Sequence, residues 1–278
     1  MKRKKINYNA LLLQGFLIIL TILCLIPLVF TFKVSMEPKE YAFKVPSLML
    51  HHPSLKNYID VFKRQDLMLP NWFFNSLFVS SSMVVLQLSV VSLAAYAFAR
   101  LKMPGKNLLF MLLLFTMMIP TQVTMIPVYL TIKNLKLLDN YLALLLPGIA
   151  SVFGVFLMRQ FFLTIPREFE ESAMIDGVGK LRTYFSIMVP QVKSGLIALG
   201  IITFLASWND LFWPLIVMNK LEMRTLPVGL TVLNGTYATE RSLVLAGAFI
   251  AILPALILYG IFQRKIIEGT MLSGMGGR

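Results

Sequence analysis

The chain has 278 residues, 57% of them apolar and 14% charged, where an ordinary soluble domain is about 45–50% apolar and about 25% charged. Its single cysteine, Cys24, excludes a disulfide framework within the chain, and no Cys/His spacing suits a metal. The net charge of +13 is spread over the ends of apolar runs rather than gathered on one face, which argues against nucleic acid as a partner and for a chain embedded in lipid.

After the bases Lys2, Arg3, Lys4 and Lys5 comes an apolar run at 10–32, 23 residues long. The apolar core of a secretory signal is only ~7–15 residues, and no small-x-small cleavage site follows, so this reads as a retained first span. The segment 33–72 is the largest outer segment and holds the only histidines, His51 and His52. Two adjacent ring ligands with no carboxylate cluster nearby make poor tetrahedral geometry, and they read as loop residues.

A crossing helix needs ~20 mostly apolar residues, because every backbone polar group must be paired inside the hydrocarbon. Charge-free runs at 67–99, 107–132 and 242–263 reach that length, 140–158 is slightly short, and 194–219 is interrupted only by Asp210. The expectation is an all-α, polytopic membrane protein with six transmembrane helices. No repeat or low-complexity tract divides it, so 1–278 reads as one membrane domain. Its parts are the first span 10–32, the outer segment 33–72, core spans 73–263 and a tail at 264–278.

Orientation follows from the basic residues. With the N-terminus inside, fifteen of the 26 lysines and arginines fall on the inner side, including the tetrabasic start. Both termini and the segment between the fourth and fifth spans are then cytoplasmic.

That segment, "PREFEESAMIDGVGKLRTYFSIMVP" (166–190), carries four acids in a chain poor in charge. Pro166 suits a first helical turn, and Glu168, Glu170 and Glu171 suit the positive end of a helix dipole. Asp176-Gly177 offers a stop, since glycine enters the left-handed region without a side-chain clash. Beyond Lys180, the spacing of Leu181, Tyr184, Phe185 and Met188 predicts one apolar helical face. Two helices of about ten residues are marginal alone in water and need something to hold them. The first is acidic, where a lipid-binding helix would be basic, so a protein partner with basic side chains is expected.

These residues resemble the cytoplasmic signature of ATP-binding-cassette importer permeases: Glu-Ala-Ala, three residues, Gly, nine residues, Ile, one residue, Leu-Pro. Here it stands as Glu171-Ser172-Ala173, Gly177, Ile187 and Val189-Pro190. All spacings hold, and Ser172 and Val189 depart from the pattern. The segments "MMIPTQVTMIPVYLTIKNLKLLDNYLALLLP" (117–147), "FGVFLMRQFF" (153–162) and "WNDLFWPLIV" (208–217) are similar to the carbohydrate-importing, maltose-permease-type subgroup. So is the tail at 262–278, although Met275-Gly276-Gly277 lacks that subgroup's lysine.

The resemblance implies a cytoplasmic coupling helix between helices four and five that docks on an ATPase, with Glu170, Glu171, Ala173, Asp176 and Gly177 as the coupling residues. It implies a second permease subunit, a distinct homologue, two cytoplasmic ATPase subunits and an extracytoplasmic solute-binding protein. The location implied is a prokaryotic cytoplasmic membrane, and the cargo a carbohydrate; the alternatives are the same machinery for a polyol, sugar acid or glycerol-phosphate compound, or a membrane enzyme or scaffold that works without an ATPase.

No cofactor is expected in this chain; ATP and magnesium belong to the partner ATPase. "DGVGKL" (176–181) is not a phosphate loop, because Met174 stands where its first glycine belongs and Leu181 where Ser or Thr follows the lysine. Both histidines lie in one outer loop, which leaves no Ser-His-Asp chemistry for a membrane enzyme. Asp210 is the one acid inside a span, and such residues are costly there. Two readings stay open for Trp208, Asn209 and Asp210. They line a substrate path, or the two polar side chains pair backbone groups freed near Pro214. Pro120 and Pro127 can each kink the third span.

Overall fold

The computed structural model describes residues 8–41, 49–64 and 67–274, with side chains from residue 12 to residue 263 within those ranges. Among the described residues all regular structure is helical. The basic start and the last residues of the tail, on which part of the orientation argument rests, lie outside them.

In chain order the first elements are α1 (Tyr8–Ser35), the short α2 (Lys56–Lys63) and α3 (Leu69–Arg100). The apolar stretch of α1 is 24 residues and that of α3 is 32. At ~1.5 Å per residue, each exceeds the ~30 Å of hydrocarbon. The last helix, α14 (Arg241–Gly274), offers a third such stretch over Arg241–Gln263. These three match the apolar runs at 10–32, 67–99 and 242–263.

The other runs are not straight. α4 (Lys106–Phe115) extends through a 3-10 turn to Met118 and meets α5 (Thr121–Asn134) at 97°. The bend lies at Pro120, which has no N–H to give and pushes Ile119 before it into extended backbone at φ −83°, ψ 114°. Pro127, in contrast, stays inside α5 without ending it. α6 (Tyr141–Leu145) runs on to Gly148 and meets α7 (Val152–Leu163) at 49°. The Ser151 hydroxyl restarts that helix by accepting from the Gly154 N–H at 3.0 Å.

Beyond the loop helix α8 (Glu168–Ile175), α9 (Lys180–Thr183) passes through a π turn at Tyr184–Met188 into α10 (Val189–Gln191). That stretch meets α11 (Lys193–Trp208) at 79°. The run at 194–219 is therefore not one helix. α11 ends at Trp208, and α12 (Phe212–Val217) begins after a break at 209–211. α13 (Leu226–Thr236) then leads to α14.

The chain forms two compact units, residues 1–69 with 230–253 and residues 70–229 with 254–278. The first is joined by Phe32 against Phe249, ring centroids 5.0 Å apart, and by Arg64, which pairs with Glu240 at 3.0 Å and lies over the Tyr237 ring. Where α1 ends, a polar knot forms. Lys33 Nζ lies 2.7 Å from Glu37 Oε2, both side chains are buried, and the His51 N–H donates to Glu37 Oε1 at 2.9 Å. Asn57 Nδ2 donates to the carbonyls of Ser35 and Glu37, and Ser35 Oγ shares a hydrogen bond with the Tyr58 hydroxyl at 2.6 Å.

Burial pushes the Glu37 carboxyl up, but the His51 N–H and the Lys33 ammonium together hold it below the ordinary carboxylate value of 4.5. A depressed folded-state value stabilises the fold above the unfolded-state value, and that contribution disappears as pH falls through the folded one. Glu37→Gln is therefore expected to lower the thermal midpoint at pH 7, since breaking a buried pair costs about 3–5 kcal/mol. Its deficit against the wild type should persist down to about pH 4.5 and shrink only below it. Melting curves across pH 3.5–7.5 test this; a deficit that grows on acidification would refute it.

Among the described residues of the second unit are two apolar clusters. One joins Val91, Ala95 and Tyr96 of α3 to Met158 and Phe162 of α7 and to Tyr184, Met188 and Leu199. The other joins Val79 and Met83 to Ile132, Leu144 and Val217. Gly195 lets α11 lie against α7, because a Cβ there would sit 2.6 Å from the Phe161 ring.

Candidate functional site

Two places within the second unit bear on function: the charged loop and a cavity. In the loop, α8 opens with Glu168, Glu170 and Glu171 in its first turn, as the dipole argument expects. It ends in a hydrogen-bonded reversal at Gly177, whose φ is +69°. The Val178 N–H donates to Ala173 O at 2.8 Å and the Gly177 N–H to Met174 O at 3.1 Å. This is the double closure that a left-handed residue after a helix makes possible, so the glycine stop stands as expected.

The apolar face expected beyond Lys180 is divided. Tyr184 and Met188 are buried, while Leu181 and Phe185 are exposed. The π turn over Tyr184–Met188 carries about one residue more per turn than an α-helix, which rotates the side chains away from the i, i+3, i+4, i+7 register.

The five loop residues singled out from the sequence do not share one surface. Glu171, Asp176 and Gly177 are exposed, and between them Met174 is 70% and Ile175 86% exposed. Ala173 is buried and packs inward. Glu170 also turns inward: Tyr96 OH donates to its Oε1 at 3.1 Å, and Arg100 Nη1 lies 3.4 Å from its Oε2. Arg100, itself nearly buried, also donates through Nε and Nη2 to the Phe162 carbonyl, at 3.1 and 2.6 Å, and through Nη2 to the Ile165 carbonyl. One guanidinium thus closes the end of α7 and holds the loop helix against the end of α3. An eight-residue helix is too short to persist unaided, and this clamp and Ala173 hold it. Arg100 and Tyr96 were not legible as its anchors; Arg100 reads as an ordinary flanking base.

The cavity is about 640 Å³ and is bordered by Gln87, Gln122, Thr203, Ser207, Asp210 and Trp213 among mostly apolar neighbours. Three helix breaks open onto it, through Thr121 after the Pro120 bend, Gly148 and Ser151 after Pro147, and Asp210 after α11. At these breaks backbone groups lose helical partners, and polar side chains replace them. Gln87 Nε2 donates to Gly148 O at 2.8 Å and Thr203 Oγ1 donates to Gln87 Oε1. Asp210 Oδ1 accepts from the Trp213 N–H at 3.4 Å.

Of the three residues read as a path, Asp210 alone borders the cavity. Asn209 faces elsewhere and its Nδ2 donates to Leu205 O at 2.8 Å. Trp208 is buried, stacked on Phe204 at 5.7 Å and edge-on to Phe73. The Trp213 indole Nε1 donates to Ala143 O at 2.9 Å. Sequence reasoning missed Gln87, whose signal was a carboxamide in the middle of the charge-free run 67–99, well beyond the asparagines near its start. Among the described residues no group of three or more His, Cys, Asp or Glu stands close enough to hold a metal.

Broken apolar helices around a cavity with a few polar side chains, in one unit with a charged helical loop, are the features of a membrane transport subunit. Residues 88–267 match the family described as binding-protein-dependent transport system inner membrane component. The chain is 34% identical over 280 residues to the arabinooligosaccharides transport system permease protein AraQ of Halalkalibacterium halodurans, covering all of both chains. It is 35% identical to AraQ of Bacillus subtilis over 94% of each chain. To the sn-glycerol-3-phosphate transport system permease protein UgpE of Shigella flexneri it is 34% identical over 73% of each. A crystal structure of a bacterial ABC transporter involved in the import of the acidic polysaccharide alginate shares the fold, with a TM-score of 0.83 over 95% of this chain and 99% of that one at 23% identity. The chain belongs to the binding-protein-dependent transport system inner membrane component family.

Proposed function

We propose that this chain is the permease subunit of an ATP-driven importer that carries a sugar or oligosaccharide across the cytoplasmic membrane. It works as one membrane domain with six spans, each bent helix pair counting as one. The tail and both termini are cytoplasmic, and so is α8. The observation that carries the reading is the exposed end of α8, where Glu171 and Asp176 flank Met174 and Ile175. An apolar pair ringed by carboxylates fits the cleft of a protein with basic side chains, here the ATPase subunits, which hold the ATP and magnesium. A second, distinct permease completes the path, and a binding protein delivers solute from outside.

A carbohydrate suits the cavity better than a glycerol phosphate does, although UgpE is a relative. None of the described residues that border it is Lys or Arg, whereas a phosphate calls for such cations. Amide, hydroxyl and indole groups match sugar hydroxyls and ring faces.

The test is mild-detergent purification of the chain from its membrane with its partners identified by mass, followed by uptake assays in vesicles loaded with ATP. Recovery of an ATPase and a second permease in fixed ratio, and uptake of an oligosaccharide with the cognate binding protein, is the expected result. Recovery of the chain alone, where a known importer survives intact, overturns the proposal.

A further inference from the structure

The short helix α2 carries an apolar stripe that no described residue covers. Leu55 at its N-cap and Ile59 and Phe62 within it follow the i, i+4, i+7 spacing of one helical face, and they are 60%, 47% and 53% exposed. Water is a poor environment for three adjacent large side chains, and scattered exposure does not produce such a stripe.

The opposite face shows where the helix sits. Asn57 Nδ2 donates at 2.9 Å to the carbonyls of Ser35 and Glu37, and the Tyr58 hydroxyl bonds Ser35 Oγ at 2.6 Å. Val61 on that side is fully buried. Ser35 is the last residue of the 24-residue apolar span in α1, so these bonds fix α2 at the depth where a membrane span ends. That depth is the boundary between acyl chains and headgroups. Lys56 and Lys63 are exposed and lie in line, two turns apart, along one edge of the stripe, about 80–100° around the helix from Leu55. From there their ammonium groups reach phosphates while the stripe enters the acyl layer. Asp60 lies farther round, beyond the lysines and away from the stripe.

We propose that α2 is an interfacial helix, lying in the plane of the bilayer surface with Leu55, Ile59 and Phe62 in lipid and Lys56 and Lys63 on the phosphates. Its hydrogen bonds to Ser35 and Glu37 make it a collar that sets the depth at which α1 stops. Nothing in the transport reading requires this, and the collar stands or falls separately from the cargo and the ATPase contact.

The test uses the full chain in its purified complex, in nanodiscs of phosphatidylethanolamine and phosphatidylglycerol. Cys24, the one native cysteine, is replaced by serine, and single spin labels are placed by Ile59→Cys, Phe62→Cys, Lys56→Cys and Lys63→Cys. Collision of each label with oxygen, which concentrates in lipid, is compared with collision with a water-soluble nickel chelate. The expected result is an oxygen-to-nickel ratio at least several-fold higher at positions 59 and 62 than at 56 and 63. Nickel dominating at all four positions would mean an aqueous helix and overturns the collar. Labels at 59 and 62 that are immobilised and shielded from both reagents would mean that a polypeptide covers the stripe, and overturn it equally. The Ile59 label by itself decides the matter if Phe62→Cys does not fold.

Discussion

Glu171→Lys and Gly177→Val are each expected to reduce uptake to background while the chain remains in the membrane at its normal level. Glu171 is the exposed carboxylate beside Met174 and Ile175. Losing one partner of a desolvated, hydrogen-bonded charge pair costs about 2–5 kcal/mol, a factor of roughly 30 or more in docking. Charge reversal adds repulsion to that loss. Gly177 acts through the backbone. Its φ of +69° costs an L-residue about 1–2 kcal/mol, and a β-branched one more, so valine would open both reversal bonds to Ala173 and Met174 and re-aim the end of α8. Asparagine tolerates the left-handed region, and Gly177→Asn should keep much of the activity that Gly177→Val loses. Uptake in whole cells, normalised to immunoblot of the membrane fraction, separates these cases. Wild-type uptake with Glu171→Lys would remove the docking reading.

The second large effect is expected at Arg100. Its guanidinium serves Glu170 and two carbonyls at once, so Arg100→Met leaves three acceptors short of a donor in a nearly buried site. Breaking such a pair costs about 3–5 kcal/mol, enough to deplete the folded chain. Glu170→Ala is the informative partner. It spares the carbonyls of Phe162 and Ile165, which still accept from the guanidinium, but cuts α8 loose, so the chain should lose less stability than Arg100→Met does while solute-loaded binding protein no longer stimulates ATP hydrolysis. Combining the two should cost less than the separate losses added together, because they share one contact. The exchange Arg100→Glu with Glu170→Arg should not rescue, since a carboxylate cannot donate to the carbonyls. Normal stimulation in Glu170→Ala would show that α8 needs no clamp.

Much of this was legible in the sequence wherever one local rule acts alone. A 23-residue apolar run predicts α1, and a glycine after an acidic helix predicts a left-handed stop. What escaped was set by competition between rules. Pro120 and Pro127 look alike in the sequence, yet only the first ends its helix, where Ile119 turns to extended backbone. Glu170 and Glu171 are neighbours of identical chemistry. The α-helix places them about 100° apart, so one meets Arg100 and the other faces outward. Gln87 carries no motif at all. Its importance rests on Gly148 being 61 residues away in sequence and 2.8 Å away in space.

The three helix breaks around the cavity bear on what its polarity means. Peptide groups exposed at a break find no partners in hydrocarbon, so the polar side chains beside them are part of the building material of the fold. Gln87, Ser151 and Asp210 already spend hydrogen bonds on the backbone at two of those breaks. Those polar positions would persist even in a descendant that had lost its cargo. Selectivity is therefore to be sought in side chains whose hydrogen-bonding capacity the architecture has not already consumed.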